Sequence, residues 1–253
     1  MLFLNPWCGL ALALSALGVL AAPADASFDV NPPSRLHGVT TARIVRATPA
    51  RRTLSGPRRW RRVEGFTSWS GQAQVLLVLD GAVRDGREWV KVLLPERPNG
   101  SAGWIRRDHV VLAHTPYWVR VRLGRRQVTV YRDGVRVRRF RAVVGAPGTP
   151  TPHGLAAIWE RNRQPAPYAA TLGPWALSLT SLSDVLFEYD GGPGRVAIHG
   201  RSGALLRDPL GTARSLGCVR VTNSAVSWMA ARLPVGTPVR IVSRDRTPRG
   251  SRR

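Results

Sequence analysis

The sequence is poor in cysteine. It contains only two in 253 residues, Cys8 near the amino terminus and Cys218 in the last quarter of the chain. Zinc-binding cysteine spacings are absent, and a disulfide scaffold of the kind found in small secreted domains is excluded. An isolated thiol is often a buried structural side chain. The surroundings of Cys218 therefore have to decide whether it has a chemical role.

Acidic residues are also scarce. The chain has 15 aspartates and glutamates against 38 basic residues, almost all arginine, which gives a formal charge of +23. Such an excess favours anionic surroundings. The sequence has no helix-turn-helix pattern and no aromatic RNA-binding signature, so we expect no nucleic-acid partner. An anionic cell-wall polymer is the candidate partner. The alternative is a solvated basic surface, because the arginines are spread along the chain.

Charge is absent from the first 24 residues. Residues 9–22 resemble the apolar core of a signal peptide, and small residues at Ala24 and Ala26 fit a cleavage site. We therefore predict a signal peptide over 1–26 and a chain exported to the cell wall or periplasmic space. An uncleaved membrane anchor is the alternative, because the whole apolar stretch is just long enough to span a bilayer. Cys8 would be removed with the signal peptide, which would leave Cys218 without a disulfide partner.

Long helical patterns are also lacking. Twenty prolines, 25 glycines and many valine-rich runs favour a mainly β fold. After a linker over 27–40, short apolar runs in 41–112 alternate with turn signals at 80–81, 85–86 and 99–100. The run "WVKV", followed by "GWI" at 103–105, resembles the end of a bacterial SH3-like domain. The resemblance implies a small β-barrel that either docks onto cell-wall peptides or serves as a spacer.

The second half of the chain predicts another β domain, over 117–243, with a basic disordered tail at 244–253. Val119 and Val121 share one strand face, and Asp133-Gly134 is a strong hairpin signal. Residues 160–194 look irregular, apart from a short strand in "LGPWALSL". One helix is predicted near the end, capped by Thr222 or Asn223 and stopped by Pro234.

Cys218 lies nineteen residues after His199, which ends an apolar strand. A thiol becomes a good nucleophile as its thiolate, and a neighbouring imidazole is the usual base. Gly217 allows a sharp turn, so the backbone N–H groups of Gly217 and Cys218 could form an oxyanion hole. Arg220 points to the same strand face as Cys218. It could favour the thiolate or bind a substrate carboxylate.

These motifs resemble a known family. "IHG" at 198–200, followed by "SLGCVR" at 215–220, is similar to the signature of the YkuD-type L,D-transpeptidases. "GTPTPHGLAAI" and "LGPWALSL" resemble further family segments, and the likeness covers about 117–242. Many members have histidine just before the Gly-Cys pair, whereas this chain has Leu216.

The resemblance implies a β-sandwich with one or a few short helices, and a mechanism. Cys218 would attack the carbonyl after the third residue of a peptidoglycan tetrapeptide stem, with His199 as general base and then acid. The terminal D-alanine leaves, and an amine of a second stem attacks the thioester to give a 3–3 crosslink. No metal or cofactor is required, and carbapenems would acylate the thiol. Water as acceptor would give an L,D-carboxypeptidase. A non-catalytic wall-binding protein is the alternative from another class.

The other polar and aromatic candidates carry weaker signals. We expect His153 to shape the rim of the site, and Asp208 to serve a turn. We expect His37, His109 and His114 at the surface or at a domain boundary. The predicted substrate-binding residues are Arg220, Ser215, Gly200, Trp175 and Tyr168.

Overall fold

The computed structural model describes residues 30, 32–55 and 59–243. The predicted signal peptide and the predicted basic tail lie outside these residues, and the predicted linker is described only in part. Within the described ranges, no helix is long and apolar enough to cross a membrane. The described chain is mainly β, as the composition indicates, and its strands form two large sheets.

Seven antiparallel strands form the N-terminal sheet. In chain order they are β1 (Val39–Ile44), β2 (Thr48–Arg51), β3 (Arg59–Val63), β4 (Val75–Arg84), β5 (Arg87–Leu93), β6 (Ala102–Arg106) and β7 (Val110–Thr115). Their order across the sheet is β3-β2-β6-β5-β4-β1-β7. The sheet thus extends slightly beyond the predicted module at both ends. Its likeness to an SH3-like barrel stays a prediction.

Two of the three predicted turns in this sheet are confirmed. Asp85 and Gly86 have φ values of 51° and 68° and join β4 to β5, and Asn99-Gly100 turns before β6. The prediction for Asp80-Gly81 is wrong, because both residues lie inside β4. The pairing register with β5 shifts next to Asp80, so the strand accommodates these residues as an irregularity.

A second, mixed sheet follows. Its strands are β8 (Tyr117–Arg122), β9 (Gln127–Arg132), β10 (Val135–Arg141), β12 (Gly154–Arg163), β13 (Trp175–Leu182), β14 (Arg195–His199), β16 (Val219–Arg220) and β17 (Pro238–Val242), while β11 (Val144–Gly145) and β15 (Ala213–Ser215) pair separately. The order across the large sheet is β10-β9-β8-β17-β12-β13-β14-β16. The predicted hairpin at Asp133-Gly134 is confirmed as the turn between β9 and β10.

Two helices accompany this sheet. Helix α2 (Asn223–Arg232) is capped as predicted, with Thr222 Oγ1 accepting from the Ala225 N–H at 3.2 Å. Helix α1 (Ala166–Leu172) lies in the stretch that the sequence predicts to be irregular, so that prediction is wrong. With only seven residues, α1 is too short for its periodicity to stand out.

The large sheet curls around α2. The helix packs against β13 and β14 near one end of the strand order. At the other end, Phe140 of β10 contacts Trp228 of α2, with ring centroids 5.9 Å apart. Both ends of the sheet also contribute to a single core, with Val128 and Val130 from β9 and Ile198 from β14. The predicted β-sandwich is therefore formed by one curled sheet.

The two sheets share a tightly packed boundary. Trp159 of β12 is 3% exposed and belongs to the core of the N-terminal sheet. Its indole N–H donates to Gln74 Oε1 at 2.9 Å. Ala157, also on β12, packs with Val39, Leu77 and Leu93. Because one strand of the second sheet completes the core of the first, we expect the two sheets to be fixed relative to each other.

Candidate active site

The parallel pair β14–β16 brings the predicted reactive side chains together. Ile198 pairs with Val219, and His199 pairs with Arg220. Side chains alternate between the faces of a strand. His199, Arg220 and the adjoining Cys218 therefore lie on one face, and all three line the same cleft. The proximity of Cys218 and His199 that the sequence predicts is thus present.

The turn before Cys218 depends on a glycine. Gly217 has a φ of 118°, a conformation that side chains disfavour. Thr151 Oγ1 donates to the Gly217 carbonyl at 2.8 Å, and Ser215 Oγ donates to the Cys218 carbonyl at 2.6 Å. Thr149 Oγ1 donates to the Ser215 carbonyl at 3.0 Å. Three hydroxyl groups therefore fix the backbone that carries the thiol.

The predicted oxyanion hole is partly engaged elsewhere. The Gly217 N–H donates to Ser215 Oγ, at the long distance of 3.2 Å. To bind an oxyanion, this amide would have to exchange that weak bond for a charged acceptor, which favours the exchange. The oxyanion hole made by Gly217 and Cys218 stays a prediction.

His199 is buried and neutral. It is 3% exposed, and its Nδ1 lies 2.7 Å from the Gly200 carbonyl oxygen. Because a carbonyl only accepts, Nδ1 carries the ring proton and Nε2 keeps the lone pair. Burial is the largest cause that lowers the pKa of His199, and the Arg220 charge acts in the same direction. The Gly200 and Leu172 carbonyls partly oppose this shift, and the net pKa is about 4. A neutral imidazole of this kind can act as a base.

Cys218 is half-buried. Burial raises the pKa of its thiol, although a hydrogen bond with the Ala197 backbone and the charge of Arg220 act in the opposite direction. The sequence pattern predicts that the imidazole ionises the thiol. In the structure both groups are neutral, because desolvation disfavours both charged forms. Proton transfer from sulfur to nitrogen would then accompany nucleophilic attack.

Arg220 is held by Asp208. The Arg220 Nη1 to Asp208 Oδ2 distance is 2.6 Å, and the two side chains are 8% and 24% exposed. The sequence predicts a turn role for Asp208, and the ion pair shows that its carboxylate also neutralises a buried arginine. One nitrogen of Arg220 is therefore already engaged, so its binding of a substrate carboxylate stays a prediction.

The cleft is small and partly enclosed. His199, Cys218 and Arg220 form the reactive part of its lining. The rest of the lining is mostly apolar and consists of Thr171, Leu172, Ser183, Leu186, Tyr189, Gly194, Arg195, Val196, Leu205 and Leu216. Among the described residues, no group of three or more histidine, cysteine, aspartate or glutamate side chains could hold a metal ion. The arrangement supplies a nucleophile and a base in an apolar, partly enclosed cleft, which suits acyl transfer.

Comparison with protein families agrees with this geometry. Residues 116–241 match the model of the YkuD family, the L,D-transpeptidase catalytic domain. Over these residues the chain is similar to that family. The match contains the whole cleft-lining set and both strands that carry His199 and Arg220.

Several known proteins are similar to this chain. The Bacillus subtilis protein that carries the name L,D-transpeptidase YkuD is 27% identical over 169 residues, which are 64% of this chain and 92% of that protein. A mutant Enterococcus faecium L,D-transpeptidase of known structure is 20% identical with a TM-score of 0.36. The match covers 50% of this chain and 50% of that chain. The LD-transpeptidase LdtMt1, solved with imipenem, is 17% identical with a TM-score of 0.44. That match covers 87% of this chain and 100% of that chain.

The predicted substrate-binding residues occupy different places. Arg220 lines the cleft, whereas Ser215 is fully buried beneath it and bonds to the backbone. A side chain at Gly200 would collide with Asn223 Oδ1, so this glycine permits close packing. Trp175 packs against the core and Tyr168 is 49% exposed on α1. Neither aromatic residue lines the cleft, so their predicted substrate contact finds no support.

Some residues of the site escaped the sequence analysis. Thr149 and Thr151 support the turn before Cys218, and Tyr189 lines the cleft. The two threonines lie in the "GTPTPHG" segment. That segment predicts a loop, but it does not predict the hydrogen bonds that the threonine hydroxyls donate to the Ser215 and Gly217 carbonyls. Tyr189 sits beside the Gly-Gly pair of a loop without periodicity, and no local pattern distinguishes it.

Proposed function

We propose that this protein is a peptidoglycan L,D-transpeptidase that forms 3–3 crosslinks through a thioester on Cys218. The observation that carries the proposal is the common face of Cys218 and His199 in a partly enclosed cleft. A half-buried thiol beside a neutral imidazole supports acyl transfer at the sulfur atom. The family of residues 116–241 supports the choice of substrate.

The first half of the reaction forms the acyl-enzyme. His199 Nε2 takes the thiol proton as the sulfur attacks the carbonyl after the third stem residue. The N–H groups of Cys218 and Gly217 receive the developing oxyanion. The imidazolium then gives its proton to the leaving nitrogen, and D-alanine departs. The Gly200 carbonyl keeps the ring oriented, since it bonds to Nδ1 throughout.

The second half transfers the acyl group. The side-chain amine of a diamino acid on another stem attacks the thioester, loses a proton to His199 and expels the thiolate. The product is a 3–3 crosslink. If water attacks instead, the same site acts as an L,D-carboxypeptidase, which is the second candidate activity.

The proposal is tested first with a carbapenem. We expect intact-mass measurement to show one covalent adduct on the protein and none on Cys218→Ala. Incubation with tetrapeptide muropeptides should then give crosslinked dimers by mass spectrometry. If tripeptide muropeptides are the only product, the protein acts as an L,D-carboxypeptidase instead. A folded wild-type protein that forms neither an adduct nor a product would favour the non-catalytic wall-binding reading.

The pH dependence of acylation gives a second test. Only neutral His199 can accept the thiol proton, so the rate should fall as the pH drops through the pKa of this residue, about 4. We therefore expect acylation by a carbapenem to stay nearly constant from about pH 8 to 5 and to halve near pH 4. The measurement is the second-order rate constant as a function of pH. A half-point near 6.5, the value of an ordinary histidine, would contradict a buried neutral base.

The location of the protein and its N-terminal module are part of the proposal. A peptidoglycan substrate requires an exported enzyme, which fits the apolar, uncharged segment at 1–26. The SH3-like reading of 41–112 adds a module that docks onto wall peptides. The surplus of arginine would favour retention near anionic wall polymers.

A further inference from the structure

One wall of the cleft is a loop between β13 and β14. This cleft loop, residues 183–194, contributes Ser183, Leu186, Tyr189 and Gly194 to the lining. Its own hydrogen bonds are concentrated at its base and tip. Ser183 N–H donates to the Gly194 carbonyl, and Tyr189 and Gly192 exchange backbone bonds. Between these points the loop is open to solvent, with Phe187 68% exposed.

The base of the cleft loop is held by an arginine of the N-terminal sheet. Arg97 lies in the connection between β5 and β6. Its Nη2 lies 2.9 Å from the Ser183 carbonyl oxygen, 3.2 Å from that of Leu186 and 3.0 Å from that of Pro193. The three acceptors come from both ends of the loop. One guanidinium group therefore ties the two ends together with charge-assisted hydrogen bonds.

The same arginine also contacts the exposed part of the loop. The Arg97 guanidinium carbon lies 4.8 Å from the centre of the Phe187 ring, a cation–π arrangement. Nearby, Trp69 of the N-terminal region approaches Gly192, where an added side-chain carbon would lie 3.2 Å from the indole ring. The N-terminal region thus contacts the loop at its base, its middle and its tip.

A second side chain of the same connection fixes the strand that enters the loop. Asn99 Nδ2 donates to the Leu182 carbonyl at 2.8 Å, and the Leu182 N–H donates to Asn99 Oδ1 at 2.8 Å. The amide pairs with the backbone as a neighbouring strand would. Asn99 Nδ2 also donates to Asp184 Oδ1 at 3.0 Å. Asn99 therefore continues the order of β13 into the first residues of the cleft loop.

We infer that Arg97 and Asn99 are positioning residues, through which the N-terminal sheet sets the shape of the substrate cleft. The sheet is then more than a docking module or a spacer, because it supplies bonds that the cleft loop lacks internally. Loss of these bonds should loosen the wall that carries Leu186 and Tyr189 without moving His199, at the far end of β14, or Cys218, in the turn before β16. The catalytic consequence rests on the proposed function, whereas the structural one does not.

The test uses the full chain with Arg97→Ala, Asn99→Ala and a matched control, Arg107→Ala. Arg107 also donates from the N-terminal sheet to a carbonyl, that of Val110 at 3.0 Å, within its own sheet. Amide hydrogen exchange of 184–194 should become roughly tenfold faster in Arg97→Ala, as expected for loss of charge-assisted bonds, and also faster in Asn99→Ala. Arg107→Ala should leave it unchanged. Equal exchange in all four proteins would overturn the inference, and Asn99→Ala keeps the test available if Arg97→Ala does not fold.

Two thiol reagents separate cleft shape from thiol chemistry. Acylation by a carbapenem, which has to fit the cleft, should slow about tenfold in Arg97→Ala. Alkylation by iodoacetamide, which needs only an accessible sulfur, should change less than about twofold. A parallel loss with both reagents would mean general distortion and would refute a positioning role. If the wild type is not acylated at all, the proposed function fails, while the exchange measurement still decides this inference.

Discussion

Replacing His199 with alanine is expected to lower the rate of Cys218 acylation by a carbapenem about 10²–10⁴-fold, the usual contribution of a general base. The thiol pKa is raised by burial, so few molecules carry a thiolate at neutral pH without help. His199 Nε2 carries the lone pair that can take the proton, since Nδ1 donates its own proton to the Gly200 carbonyl. The rate is measured by intact mass over time.

The matched control is His153→Ala. His153, expected at the rim of the site, is exposed and does not line the cleft, so its removal should leave the acylation rate within about twofold. Thermal unfolding of both variants shows whether the fold is retained. If folded His199→Ala reacts at the wild-type rate, His199 is not the base.

Asp208→Ala is expected to lower the free energy of unfolding by about 3 kcal/mol, the lower end of the range for breaking a buried ion pair. The variant leaves the Arg220 guanidinium, 8% exposed, without the carboxylate that lies 2.6 Å away. Urea unfolding measures the loss. Changing Arg220 to methionine in the same chain should recover much of it, because the uncompensated charge is then gone.

The control for this prediction is Glu64→Ala. Glu64 pairs with Arg62 at 2.7 Å, but the two side chains are 57% and 68% exposed. Water screens such a pair, so its loss should cost at most about 1 kcal/mol. An equal loss of unfolding free energy in Asp208→Ala and Glu64→Ala would show that burial of the Arg220 pair contributes no extra stability.

The sequence predicted features that depend on local pattern. Asp133-Gly134 marks a hairpin because the turn needs positive φ at both residues, and these are 48° and 79°. The cap at Thr222 and the stop at Pro234 bound helix α2 for equally local reasons. The pairing of the His199 and Cys218 strands also followed, because the family resemblance links two motifs that lie close in the chain.

Contacts between distant segments could not be predicted in this way. Arg97 looks like one of many surface arginines, and its acceptors lie 86 or more residues away. The Asp208–Arg220 pair joins a loop to a strand, so no periodicity relates them. Trp175 and Tyr168 are predicted to contact substrate, whereas in the structure Trp175 packs against the core and Tyr168 is 49% exposed. Such relations depend on how the sheet curls, which one sequence does not display.

The neutral state of Cys218 has a consequence beyond peptide chemistry. Peroxide oxidises thiolates far faster than thiols, and exposure adds to the susceptibility. A half-buried thiol with a raised pKa is therefore a poor target for oxidation to the sulfenic acid. In the proposed reaction, the desolvation that makes the sulfur depend on His199 for activation would also protect it from peroxide between turnovers.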